Sequence, residues 1–144
     1  MNSQDTVNLL KECNAGIKMG VSSIDEILDK VKSKQLSQIL SKSKEEHQRL
    51  GSETHKLLNQ LQEKGKDPNP MAKSMSWIKT NVMMAVDAGD DTIADLITDG
   101  CNMGVKSLSR YLNKYSSADE ASKDIAGRLI DEESNLEKSL RTYL

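Results

Sequence analysis

The chain has 144 residues, a formal net charge of −2 and 36% hydrophobic residues, with no Phe, one Trp and three Tyr. That length suits one domain burying about 70% of its unfolded surface, and the lack of aromatics requires a core of aliphatic and small side chains along extended seams. The slightly acidic balance argues against nucleic acid as a partner, because phosphate binding needs a concentrated basic surface.

The first predicted element is a helix over 3–32, where Leu10, Cys13, Ile17, Gly20, Ile24, Ile27 and Val31 alternate spacings of three and four. Its opening, MNSQDTVNLLKE, lacks the basic-then-apolar pattern of a secretory signal. Ser33 offers a cap for a second helix over about 34–64. Two stripes can be drawn along that helix. One runs through Leu36, Leu40, Ser43, His47, Leu50, Thr54, Leu57 and Leu61; the other passes through Ile39 and Glu46. With so little chain between them, the two helices form a tight antiparallel hairpin over about 3–64.

Gly65 and the turn GKDPNP open a crossover over 65–90. It holds an amphipathic helix with Met71, Met75, Ile78, Val82 and Val86 on one face. Trp77 and the off-stripe Met83 are its candidate interaction surface, the anchors of a dimer or of a docked protein. Thr92-Ile93-Ala94-Asp95 has capping-box spacing and starts a third long helix, about 91–115. Ser117-Ala118-Asp119-Glu120 has the same spacing and starts a fourth, so that a second hairpin fills about 91–144. No apolar run approaches the roughly 20 residues of a membrane span.

The two hairpins share a pattern. GIKMGVSSI at 16–24 returns as GCNMGVKSL at 100–108, and the flanking apolar stripes match as well. Glycine costs about 1 kcal/mol in a helix interior. Gly16, Gly20, Gly100 and Gly104 are therefore read as close-packing positions, giving either backbone approach or room for another group. A crossover of this length can traverse a bundle, which places the hairpins up-down-down-up and makes the first and third helices antiparallel about a pseudo-two-fold axis.

Two antiparallel hairpins joined by a long crossover resemble the ferritin-like four-helix bundle. GIKMGVSSI, PMAKSMS and CNMGVKSL look like motifs of a small uncharacterised family found in Clostridium-type Firmicutes, over nearly the whole chain. The ferritin-like resemblance implies a single all-α domain, and it raises the question of a di-iron centre. Such centres take a Glu from each of two helices and a Glu-x-x-His from each of the other two. Here Lys44 stands three residues before His47 and Ser52 three before His55, and the fourth helix has no His. The two histidines lie about 12 Å apart along one helix. Gly and Met occupy mid-height on the first and third helices, so the di-iron pattern is missing from the sequence.

Polar residues do gather at mid-height. Glu46 and His47 on the second helix and Glu132 and Glu133 on the fourth occupy equivalent positions, and Glu46 and Glu132 fall on apolar stripes. The bland reading has these carboxylates filling the room left by the glycines and pairing with Lys18, Lys106, Ser23 or Ser107. The sharper one makes Glu46, His47, Glu132 and Glu133 a site for a divalent metal. Glu12 and Glu53 form a weaker carboxylate pair. Cys13 and Cys101 read as reduced, buried thiols without a catalytic partner. Lys30, Lys32, Lys34, Lys42 and Lys44 cluster near the first hairpin's tip, at the same end as Asp87, Asp90, Asp91, Asp95 and Asp99, so the two clusters offset one another.

The expectation is thus a cytoplasmic, non-enzymatic interaction or structural protein without cofactor, its partner an unknown protein or a second copy. The alternative is a divergent ferritin-like metal-binding protein.

Overall fold

The computed structural model describes residues 4–63 and 89–144. The helix predicted in the crossover, with Trp77 and Met83, falls outside the described residues. Within them the chain forms four α-helices and no strand: α1 Gln4–Leu28, α2 Lys34–Gln60, α3 Asp90–Lys114 and α4 Glu120–Leu140, closed by a 3-10 turn at Arg141–Tyr143. Among the described residues, no helix is long and apolar enough to cross a membrane.

Each helix buries one stripe. In α1 the buried residues include Leu10, Cys13, Ile17, Ile24 and Ile27, and in α2 Leu36, Leu40, Ser43, His47, Leu50 and Leu58. The stripe of α2 thus follows His47 rather than Glu46. In α3, Ile93, Ile97, Cys101 and Leu108 are buried, and in α4 Ile125, Leu129, Leu136 and Leu140.

These side chains form two apolar clusters, one toward each end. Ile24, Ile27, Leu36, Leu40, Ile93, Ile97, Leu136 and Leu140 make the first. Leu9, Cys13, Ile17, Leu50, Leu108, Ile125 and Leu129 make the second. Burying each Leu or Ile contributes about 1.5–3 kcal/mol. The first half of α1 lies in one cluster and the first half of α3 in the other, so these helices run in opposite directions.

The turns explain where helices stop and start. Ser33 caps α2 as the sequence suggests, its side chain accepting from the Leu36 amide at 3.2 Å. However, α1 ends at Leu28, not at 32, because the amides of Lys32 and Ser33 turn to the Asp90 carboxylate at 2.9 and 2.8 Å. The N-cap of α3 is Gly89 rather than Thr92. Asp119, not Ser117, caps α4, accepting from the Ser122 amide at 2.9 Å. Ser117 is drawn elsewhere, its amide donating to Asp5 at 3.0 Å, while the Asp119 amide donates to Thr6 at 2.8 Å. The start of α1 therefore holds the tip of the second hairpin, and the start of α3 holds the tip of the first.

Asp90 binds backbone at the lysine-rich tip. Its carboxylate meets two backbone amides at the N-terminus of α2, where the helix dipole also favours a negative charge. Asp90→Ala is expected to lower stability by about 1–2 kcal/mol, seen as a lower urea midpoint. Asp90→Asn keeps one acceptor and should fall between.

Candidate functional site

Between the two apolar clusters lies a polar layer, built on Gly20 of α1, Ser43 and His47 of α2, Cys101 and Gly104 of α3, and Glu133 of α4. His47 is only 1% exposed. Its Nε2 atom is 2.7 Å from Glu133 Oε1, across the two hairpins, and its Nδ1 is 2.8 Å from the backbone carbonyl of Ser43. The Ser43 hydroxyl is 3.4 Å from the same nitrogen.

The repeated glycines make room for this pair. A Cβ built on Gly20 would stand 2.8 Å from His47 Cδ2 and 3.0 Å from Nε2. At Gly104 it would stand 3.5 Å from the Glu133 carboxyl carbon, an ordinary contact. Each glycine thus faces one member of the pair. The outer glycines differ: Gly16 meets only a Leu129 methyl at 4.0 Å, and Gly100 meets nothing within 4 Å.

The electrostatics follow from burial and neighbours. Burial disfavours a charged His47, yet the hydrogen bond and charge of Glu133, the Ser43 carbonyl and the charge of Glu132 outweigh it and raise the pKa. Glu132 is also raised, chiefly by burial, with Glu46 and Glu133 adding and Ser43 and His47 opposing. The Cys101 thiol is pushed up by burial and then by Glu133, Glu137 and Glu132. Cys13 is pushed up to about 12 by burial and Glu12. Both thiols are buried and neither forms a disulfide, so they are poor nucleophiles.

The four residues singled out in the sequence do not converge on one point. His47 and Glu133 meet. Glu46 turns outward to Arg49 at 2.9 Å, and Glu132 is half-buried at the rim. Glu53 takes the Arg128 guanidinium in a fork at 2.8 and 2.9 Å across the hairpins. Lys44 pairs with Asp25. Glu46, Arg49, Glu53, Arg128 and Glu132 line an open groove of about 220 Å³ between α2 and α4.

Among the described residues, no three His, Cys, Asp or Glu side chains are grouped so as to hold a metal ion. A di-iron centre also does not fit the residues present, since glycines stand at mid-height on α1 and α3 and their space is taken by the His47 ring and the Glu133 carboxyl.

Glu133 was visible in the sequence as a candidate beside His47, but its direct pairing with His47 was not. One signal could have named it: His47 lies three residues before Leu50 and Glu133 three before Leu136, the leucines being equivalent in the two hairpins and both buried. Compared with protein-family models, with curated proteins and with solved structures, the chain has no significant match.

Proposed function

We propose that this protein is a non-enzymatic, ferritin-like bundle of two pseudo-repeated hairpins in up-down-down-up order, with a structural or interaction role and without a di-iron centre. The observation that carries this reading is the internal engagement of the central polar layer. Both ring nitrogens of His47 face acceptors within 2.8 Å, one from its own helix and one from the other hairpin. Every buried side-chain polar atom among the described residues has a partner. The two deep thiols are held protonated, which suits a reducing, cytoplasmic setting. A group that catalyses needs a free face toward substrate, and the His47 ring is 1% exposed with an apolar cluster above and below it.

The test is elemental analysis of protein purified without an affinity tag, with thermal melting in chelator and in added iron, manganese or zinc. We expect sub-stoichiometric metal and a melting temperature that the ions leave unchanged. Near-stoichiometric metal that disappears in Glu133→Ala would instead establish the metalloprotein alternative.

A further inference from the structure

The Ser43 carbonyl can only accept a hydrogen bond, so the Nδ1 atom 2.8 Å away must carry a hydrogen. A neutral ring of that tautomer has a lone pair on Nε2. An ionised Glu133 has only lone pairs to offer in return, and the two atoms are 2.7 Å apart. Lone pairs at that distance repel. A second proton must therefore lie between His47 and Glu133, as imidazolium and carboxylate or as imidazole and carboxylic acid. The folded protein holds that proton in a buried contact that joins the two hairpins.

We propose that this shared proton makes the His47–Glu133 layer a pH-sensitive clasp between the hairpins, closed at neutral and acidic pH and loosened as the pH rises. The groups around the ring favour it. On its own helix stand Ser43, against the ring, and Glu46, beside Glu132; α4 adds Glu132 and Glu133, α3 sets the Cys101 thiol against Glu133, and α1 places the Gly20 backbone against the ring. The ionisable neighbours are thus acids, and the pKa of His47 is raised accordingly.

The release is reversible by construction. If the proton leaves, the ring can move its remaining hydrogen to Nε2, where Glu133 accepts it. Nδ1 then faces a carbonyl it cannot bond, but the Ser43 hydroxyl 3.4 Å away can turn to donate to it. Glu132 at the groove rim lies beside that hydroxyl and gives the buried ring a polar route to solvent.

The sign follows from linkage. A histidine whose folded pKa is raised stabilises fully below its unfolded value of about 6.5 and loses that stabilisation as the pH rises through the folded one. Glu132, also raised, loses stability in the same direction from about pH 4.3 upward.

Urea unfolding of the full chain between pH 5.5 and 8 tests the clasp in the wild type, Glu133→Gln and His47→Gln. The range stops at 8 because the buried thiols add their own loss of stability above about 8.5. In the wild type the unfolding constant should rise above about pH 6.5, by up to tenfold per unit. In Glu133→Gln the amide N–H donates to a neutral ring, no shared proton is needed, and the constant should instead fall as the pH rises from 5.5 to 7. His47→Gln should be flat from 6.5 to 8. The His47 imidazole signal in NMR should titrate above about 6.5 in the wild type and below it in Glu133→Gln. If His47→Gln does not fold, the other two proteins carry the test. A wild type that is flat from 6.5 to 8, or a Glu133→Gln slope equal to that of the wild type, overturns the proposal.

Discussion

Gly20→Ala should destabilise the bundle by about 2–4 kcal/mol, while Gly104→Ala, the same change in the second copy of the motif, should stabilise it by about 0.5–1 kcal/mol. The difference lies in what each added methyl meets. At Gly20 it lands 2.8 Å from His47 Cδ2 and 3.0 Å from Nε2. An imidazole can swing away from a clash when it is the loose end of a side chain, but this ring is 1% exposed and fixed at both nitrogens. Moving it by a few tenths of an ångström stretches the bond to Glu133 or the one to Ser43, and leaves a buried polar atom under-bonded.

At Gly104 the methyl meets the Glu133 carboxyl at 3.5 Å, which is normal contact. What remains is the gain in helix propensity of Ala over Gly, about 1 kcal/mol in a helix interior. Gly100→Ala, with open space around it, should behave like Gly104→Ala. Urea midpoints check the signs. The His47 ring resonances check the cause, shifting in Gly20→Ala and holding still in the other two. Equal responses at Gly20 and Gly104 would mean that the ring does not sit against Gly20.

The repeated glycines were legible in the sequence as positions needing space, but not as seats for two different side chains. Periodicity finds the face of a helix that is buried to within about a residue, or 100° of rotation. That margin separates Glu46 from His47 and Glu132 from Glu133. Along α2 two stripes were drawable, and the structure follows the one through His47, leaving Glu46 to Arg49. On α4 the expected Ile125, Leu129 and Leu136 are buried, but Glu132 among them reaches only the rim and its neighbour Glu133 turns inward to His47.

Caps divided in a similar way. Ser33 was readable because its bond is local, to an amide three residues on. Ser117 and Asp119 compete for the same role, and the choice depends on Asp5 and Thr6, whose amide partners lie over a hundred residues away in sequence. The end of α1 depends likewise on Asp90. Local spacing cannot carry that information, because the deciding acceptor arrives only once the hairpins have met.

The second large effect concerns the pair itself. Removing one partner of a buried ion pair typically costs about 3–5 kcal/mol, because the other is left without compensation. Replacing both with apolar residues of similar volume is often neutral or stabilising. We therefore expect Glu133→Met to lower stability by about 4 kcal/mol and His47→Leu by about 3 kcal/mol at pH 7, and the double variant to return close to the wild type. Glu133→Met is the harsher test, since it leaves the ring with a lone pair or a charge between two apolar clusters. His47→Leu leaves the Glu133 carboxyl nearer the rim, 12% exposed at its side chain, where water reaches part of it. Its cost should be the smaller of the two. Adding Gly20→Ala then separates packing from charge. In a His47→Ala background the ring that blocks the methyl is gone, so Gly20→Ala should change from destabilising to stabilising by about 0.5–1 kcal/mol. If it stays destabilising there, the glycine answers to the backbone of a neighbouring helix instead of to His47, and the room it leaves serves the crossing of the hairpins themselves.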